Sequence, residues 1–212
     1  LLPSNNKPIN GISAEWFLHP CSLGAGDLFH IIRINDEYMG FYILDVMGHG
    51  IPATITSLML HRILTPDPDK GGILKDTAEN PRPPVEVLSE LNRHFYGQQP
   101  FQFFTIIYGI INTTNGVTRC VRAGHNYPVL QNNKGNLSEI LCEGAAVGLY
   151  PEINLTQKTF ELEKRNRLFF FSDGLIECQD TENNEFSTQR LYSFLIQTRD
   201  KPIKQLTHNL EA

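Results

Sequence analysis

Three aspartates share the same local surroundings and carry the strongest signal of chemistry in this sequence. Asp27 stands in GAGDLF, Asp45 in ILDVMGHG and Asp173 in FFSDGL, so each lies within three residues of a glycine at the edge of a predicted apolar strand. Carboxylates that converge at the rim of a sheet repel one another, and burying them without a partner is costly. A hard divalent cation such as Mg²⁺ or Mn²⁺ removes that cost, and glycine lets the backbone come close. An isolated Asp-Gly pair is usually a turn, so the spacing alone leaves both interpretations open.

The first half of the chain must position two of these acids. GISAEWFLHP and LFHIIRIND are predicted strands, and EYMGFYILDV is a third strand that is apolar almost throughout and is expected to be buried on both faces. Pro52 suits the first turn of a helix. That helix continues through ATITSLMLHRIL, with Ile55, Met59 and Ile63 on one stripe. A surface loop over 65–84 then leads to a second helix, PVEVLSELNRHF.

The second half is predicted to consist of short strands joined by turns, followed by a helical tail. The strands are FFTIIYGII, VTRCVRAG, YPVLQNN, LSEILCE, LTQKTFELE and RLFFFSDG, and the tail helices are TQRLYSFLIQT and IKQLTHNL. Because strands follow strands as hairpins, the order indicates an α+β fold with mainly antiparallel sheets. The regular strand–helix alternation of a doubly wound fold is absent from this order.

Composition excludes several other classes of protein. The chain has 212 residues and a formal net charge of -5, which argues against a broad nucleic-acid surface. No apolar run approaches the roughly 18–20 residues of a membrane span, so no membrane insertion is predicted. The four cysteines lie far apart in the sequence without a C-x-x-C pair, which indicates neither a zinc site nor a disulfide framework and favours a cytoplasmic location. None of them stands in the C-x5-R loop of a cysteine phosphatase.

The stretch DVMGHGIPATI resembles the D-V-S-G-H-G-x-P-A motif of the SpoIIE/RsbU-type branch of the protein phosphatase 2C-like, metal-dependent serine/threonine phosphatases, the PPM superfamily. Further elements follow in the family's order. GAGDLF is similar to its G-G-D-[YF]-[YF] element, AGHNYP to A-G-H-N-x-P, and FFSDGLIEC to [ST]-D-G-[VL]-x-E. NNEFSTQRL is similar to the segment that opens its tail helix. The resemblance extends along essentially the whole chain.

The resemblance implies both a fold and a site. The fold is an α-β-β-α sandwich, with two packed antiparallel sheets flanked by helices. Asp27, Asp45 and Asp173 fall on the family's metal-binding acids, with Asp45 expected to bridge two divalent cations, Mn²⁺ or Mg²⁺. The backbone carbonyl of Val46 falls on the main-chain ligand. Two such cations lower the pKa of a water bound to them, so the expected nucleophile for attack on phosphorus is a hydroxide and not a side chain.

Two histidines beside these motifs have less certain roles. His49, in the glycine-rich turn after Asp45, is a candidate catalytic residue, either as a general acid or by orienting another group. The alternative is that it only bonds to the backbone of the turn. His125 is interpreted as a structural residue of the turn that it shares with Gly124 and Asn126.

Partners follow from the resemblance alone. In this branch the substrate is typically a phosphorylated anti-sigma-factor antagonist with a STAS-type fold, in a bacterial partner-switching pathway. The domain usually follows a sensory or receiver domain, which agrees with a start at Leu1 without methionine. We therefore expect residues 1–212 to form a single phosphatase domain of a longer regulatory protein. Homodimerisation is left open.

The sequence also departs from the family pattern. His30 stands where the family has a second acid, and Met47 stands where it has serine. The terminal D-D-x-[ST] element does not occur before Ala212, so we expect the domain to be truncated before its last strand and to lack one metal ligand. These departures favour an alternative function, a catalytically weak or silent binding module. A two-metal nuclease is a third hypothesis, which the acidic charge disfavours.

Overall fold

Two antiparallel sheets form the centre of the computed structural model, which describes residues 9–19, 26–98 and 102–211. In chain order the strands are β1 (Leu28–Arg33), β2 (Tyr38–Val46), β3 (Phe104–Asn112), β4 (Val117–Ala123), β5 (Val129–Gln131), β6 (Leu137–Glu139), β7 (Gln157–Glu161) and β8 (Arg167–Phe169). The larger sheet has the order β1-β2-β3-β4-β7 and the smaller sheet the order β6-β5-β8. The predicted α+β class with antiparallel sheets is confirmed.

Helices cover the outer faces of both sheets. They are α1 (Ile51–Ile63), α2 (Pro84–Phe95), α3 (Asp173–Ile176), α4 (Ser187–Gln197) and α5 (Ile203–Glu211). Proline occupies the first turn of both α1 and α2, where its missing N–H has no helical partner to lose. The loop predicted over 65–84 contains a short 3-10 turn, Pro68–Lys70, and an isolated bridge between Lys75 and Pro81, and α2 begins at its last residue. In the part of the chain described, no helix is both long and apolar enough to cross a membrane.

Three apolar clusters hold these layers together. The first lies between the larger sheet and helices α1 and α2, and includes Leu44, Leu60 and Leu91. The second, which includes Phe41 and Ile107, lies between the two sheets. The third joins the smaller sheet to α4 and α5. The layers therefore follow the order helix, sheet, sheet, helix, as the resemblance implied.

The alternation of side chains along β2 fixes which face of the larger sheet carries the site. Tyr42, Leu44 and Val46 belong to the cluster under α1 and α2. Met39 and Phe41 belong to the cluster between the sheets. Because successive side chains of a strand point to opposite faces, Asp45 projects toward the smaller sheet.

Helix α1 is present, but the predicted apolar stripe does not face the core. Ile55 and Met59 are 52% and 48% exposed, and only Ile63 of that stripe packs against the core cluster. The buried face consists of Ala53, Thr56, Ser57 and Leu60. Small and polar residues occupy this face because the helix lies close to the strand ends, where Ser57 bonds to the backbone.

The strand predicted over 11–20 is wrong for the residues that the structure describes. Residues 13–19 have no ladder, and the only pairing near them is a bridge between Ile9 and Ile12. Trp16 instead packs its ring 5.9 Å from that of Phe29. The alternating apolar residues of this segment therefore cover the sheet without hydrogen-bonding as a strand.

Candidate metal centre

Two of the three predicted acids meet in one row across the larger sheet. Leu28 of β1 pairs with Leu44 of β2, so one further step of the antiparallel register places Asp27 opposite Asp45. On the other side of β2, Asp45 pairs with Thr105 of β3. All three project from the same face, toward the smaller sheet. The row explains why acids that are far apart in sequence become neighbours.

Asp173 reaches this row from the smaller sheet. The prediction that Asp173 ends a buried strand is wrong. Strand β8 is half-buried and ends at Phe169, and Asp173 is the first residue of α3. Its neighbour Ser172 donates a hydrogen bond of 2.8 Å from Oγ to Oδ2 of Asp27. This bond ties the two sheets together at the site. The sequence pattern around Ser172 gives no sign of this contact.

Backbone packing keeps one position beside the acids free of side chains. A methyl group on Gly26 would lie 2.5 Å from the Val46 carbonyl oxygen and 3.0 Å from Oδ1 of Asp45. The carbonyl group of Gly26 accepts a 2.8 Å hydrogen bond from Oγ of Ser57 on α1. Glycine at position 26 thus leaves the predicted main-chain ligand and the central acid side by side.

The acids are strongly coupled electrostatically. Burial, followed by the negative charges of Asp27 and Asp173, raises the pKa of Asp45 to about 7. Burial also raises the pKa of Asp27, although the hydrogen bond from Ser172 opposes that shift. Asp27 and Asp45 lie within hydrogen-bonding reach of each other, so they attract one another only when one carries a proton. A proton between Asp27 and Asp45 relieves the repulsion between their carboxylates, and a bound cation would do the same.

The donor set fits a hard divalent cation. Oδ1 of Asp27 is buried and has no hydrogen-bond partner among the described residues. Three carboxylates and a carbonyl oxygen are the ligands that Mg²⁺ and Mn²⁺ prefer. Within residues 9–19, 26–98 and 102–211, however, no three acidic, histidine or cysteine side chains stand close enough to form a closed ligand cluster. Asp173 in particular is exposed.

His49 lies apart from this network. Its side chain is exposed in the turn between β2 and α1, and it makes no hydrogen bond within the described part of the chain. Gly48 and Gly50 on either side have φ angles of +89° and +77°, which explains the glycines of the motif. Access to solvent permits contact with a substrate, whereas the alternative of a backbone-bonded histidine finds no support in this geometry.

The two other departures from the family pattern also lie outside the row. His30 points to the helix side of β1, where its ring lies 4.9 Å from that of His61. Tyr42 shares a 2.8 Å hydrogen bond with Nδ1 of the same His61. Met47 is 40% exposed in the turn after Val46.

Two cysteines that are distant in sequence also meet, since Cys142 donates from Sγ to the Cys120 carbonyl oxygen at 3.5 Å.

Comparison with known proteins agrees with this fold. The sequence profile of the family described as Stage II sporulation protein E (SpoIIE) matches residues 35–212. The chain therefore belongs to the SpoIIE family, and its domain is a SpoIIE/RsbU-type phosphatase domain of the PPM superfamily.

Two relatives come from Bacillus subtilis (strain 168). The chain is 25% identical to phosphoserine phosphatase RsbP over 158 residues, which cover 72% of this chain and 37% of RsbP. It is 28% identical to phosphoserine phosphatase RsbU over 166 residues, which cover 77% of this chain and 46% of RsbU. The chain thus spans less than half the length of either relative.

Two solved structures share the fold. The RsbU and RsbW domains of Rv1364c from Mycobacterium tuberculosis superpose with a TM-score of 0.71 at 22% identity, over 91% of this chain and 51% of that one. RsbX in complex with magnesium superposes with a TM-score of 0.63 at 15% identity, over 88% of this chain and 79% of that one. At these identities the likeness shows the fold alone.

Proposed function

We propose that this domain hydrolyses phosphoserine or phosphothreonine on a regulatory protein with the help of two divalent cations, Mn²⁺ or Mg²⁺. The observation that carries the proposal is the convergence of Asp27, Asp45 and Asp173 from two sheets beside the Val46 carbonyl oxygen. Four oxygen donors at one open edge are the ligands that hard cations prefer. This set therefore favours a reaction assisted by bound cations over one that uses a side-chain nucleophile. The family and the relatives named phosphoserine phosphatases support the same reaction.

Each residue has a defined part in this proposal. Asp27, Asp45, Asp173 and the Val46 carbonyl oxygen would hold the cations, with Asp45 between its two acidic neighbours as the shared ligand. Bound divalent cations supply a water of lowered pKa as nucleophile and positive charge for the phosphoryl oxygens. Ser172 fixes the orientation of the Asp27 carboxylate. We propose that His49, exposed in the adjacent turn, contacts the substrate and acts as a general acid or orients another group.

The substrate class and setting come from the relatives. RsbP and RsbU are named phosphoserine phosphatases, and one structural neighbour joins an RsbU domain to an RsbW domain. We therefore propose a phosphorylated anti-sigma-factor antagonist with a STAS-type fold as substrate, in cytoplasmic partner-switching signalling. A sensory or receiver domain as the regulator belongs to the same proposal.

Phosphate release from p-nitrophenyl phosphate with Mn²⁺ tests the reaction. Wild-type protein should release phosphate, and Asp45→Ala should fall to the uncatalysed background because the central ligand is lost. Asp36→Ala is the matched control, since Asp36 is an acid in the β1–β2 turn whose side chain is 95% exposed and forms a surface ion pair with Arg33. Undiminished turnover in Asp45→Ala, or in the presence of a chelator, would overturn the proposal.

A catalytically weak or silent binding module is the second candidate. The absence of a closed ligand cluster among the described residues and the exposed Asp173 favour it. Calorimetric titration of Mn²⁺ separates the two candidates. Binding at micromolar concentrations supports the enzyme, whereas no heat of binding at millimolar Mn²⁺ supports the module.

A further inference from the structure

We propose that the cross-sheet turn, formed by Gly124, His125 and Asn126, is a brace that holds the acids of the two sheets in register, and that His125 and Asn126 are positioning residues of the metal centre. The brace rests on contacts in the structure, whereas its effect on metal affinity also rests on the proposed function. The turn lies between β4 of the larger sheet and β5 of the smaller sheet. It is therefore placed to contact both halves of the site.

One contact of the turn is with the larger sheet. Nδ1 of His125 and Oγ1 of Thr105 share a hydrogen bond of 2.7 Å. Thr105 is the residue paired with Asp45 across β2 and β3, and it belongs to the same row as Asp27. His125 is only 5% exposed, so water does not compete for this bond. The imidazole is thus anchored one strand away from the central acid.

The other contact is with the smaller sheet. Nδ2 of Asn126 donates to the carbonyl oxygen of Phe171 at 3.4 Å, two residues before Asp173. The same segment lies near the imidazole. Burial lowers the pKa of His125 to about 4, while the charge of Asp173 acts in the opposite direction. The buried ring is therefore neutral at physiological pH. It lies between Thr105, which pairs with Asp45, and the segment that leads to Asp173.

The turn is itself held rigidly. Gly124 has a φ of +73°, and a methyl group there would lie 3.0 Å from Ala146, so only glycine fits. Arg122 donates from Nη1 to the carbonyl oxygen of His125 at 2.6 Å. The Arg122 guanidinium also lies 4.2 Å from the centre of the Tyr127 ring. A turn fixed at both ends in this way can transmit position from one sheet to the other.

Such a brace matters because Asp173 is exposed at the start of a short helix. Asp173 begins a helix of four residues, and the side-chain bond that links its segment directly to the acid row is that of Ser172 to Asp27. Residues that orient metal ligands typically change metal affinity by about 10–100-fold when they are removed. Loss of the brace should therefore let Asp173 move relative to Asp45.

Hydrogen exchange of the metal-free protein tests the brace without any reference to activity. Thr105→Val keeps the side-chain shape and removes the hydrogen bond on the larger sheet. We expect amide exchange in residues 171–177, on the other sheet, to rise at least tenfold. His125→Ala should have the same effect, and His125→Asn, which retains a polar group near the position of Nδ1, should restore part of the protection. Unchanged exchange over 171–177 in a folded Thr105→Val variant would overturn the brace.

Mn²⁺ affinity supplies the second measurement, with Gln131→Leu as the matched control. Gln131 is a buried side chain that also joins two elements, through a 2.9 Å bond from Nε2 to the Leu195 carbonyl oxygen, at the far end of the β5–β8 pairing. We expect Thr105→Val to weaken Mn²⁺ binding by about 10–100-fold and Gln131→Leu to leave it within twofold. Equal losses in both variants would contradict a positioning role. If Thr105→Val raises exchange over 171–177 as expected but the wild type does not bind Mn²⁺, the proposed function is refuted and the brace is supported.

Discussion

Helices α1 and α2 begin in the same way and cover the same sheet, yet they bury opposite kinds of residue. Each carries proline in its first turn, and both contribute to the cluster on one face of the larger sheet. Helix α2 buries Val87, Leu88, Leu91 and Phe95, as an amphipathic helix should. Helix α1 buries Leu60 together with small and polar residues, and it exposes the large apolar side chains of Ile51, Ile55, Leu58 and Met59.

This difference separates packing from support of the site. Leu88 and Leu91 of α2 fill the space above β3 and β4, where no chemistry occurs. The corresponding face of α1 approaches the strand ends that carry Asp27 and Asp45, and there Ser57 bonds to the Gly26 carbonyl oxygen. A large side chain at position 57 would separate the helix from that strand end. We infer that α2 contributes mainly to stability and α1 mainly to the geometry of the acids.

The largest expected effect comes from the same substitution in the two helices. Leu91→Ala in α2 removes a side chain that is 1% exposed and should lower the free energy of unfolding by about 2–5 kcal/mol. Leu58→Ala in α1, where the side chain is 44% exposed, should change it by less than about 0.5 kcal/mol. Urea denaturation followed by circular dichroism measures both. Equal losses would show that α1 packs its apolar face after all.

A pair of serines gives a smaller but more specific effect. Ser57→Ala in α1 removes the bond to Gly26 and should cost about 1 kcal/mol of unfolding free energy, together with some Mn²⁺ affinity. Ser89→Ala in α2 loses only a 2.7 Å bond to Val85 within its own helix and should cost less than about 0.5 kcal/mol. Denaturation and Mn²⁺ titration of the two variants would distinguish them. If Ser57→Ala left both quantities unchanged, α1 would have no special role at the site.

The smallest expected effect is a pH dependence contributed by α1. Burial lowers the pKa of His61, and burial together with the charge of His61 lowers the pKa of His30. Because the unfolded chain then binds these protons more tightly, the two histidines should contribute a loss of stability as the pH drops below about 6.5, the ordinary histidine pKa. His61→Gln should reduce this contribution, so that the variant loses less unfolding free energy than the wild type, or gains more, between pH 7 and pH 5. An identical slope in wild type and variant would exclude this contribution.

Much of the scaffold could be predicted because it depends on local pattern. The segment PVEVLSELNRHF coincides with α2, since its apolar spacing and initial proline agree with each other. The apolar runs that became β2 and β3 were equally clear. The convergence of Asp27 with Asp45 follows from one antiparallel register. The ligand roles of these acids and of Val46 stay predictions that rest on the family resemblance.

What could not be predicted depends on contacts between distant parts of the chain. Which face of α1 is buried depends on how close the helix lies to the strand ends, and periodicity does not report that distance. The segment 13–19 alternates like a strand, but pattern alone does not supply a hydrogen-bonding partner. Ser172 looks like an ordinary turn residue and Thr105 like an ordinary strand residue. Only the assembled sheets show that Ser172 contacts Asp27 and that Thr105 contacts His125.

The register of β2 against β3 also bears on how the chain avoids misfolding. The nine pairs from Tyr38–Asn112 to Val46–Phe104 join two strands so apolar that several alignments would bury similar surface. A slip of one residue would move Asp45 into the place of Leu44, which is fully buried beneath the helices. An ionised carboxylate in that environment would cost several kcal/mol. Asp45, which is repelled by its acidic neighbours in the native structure, therefore also raises the free energy of the shifted register and disfavours the wrong alignment of its own strand during folding.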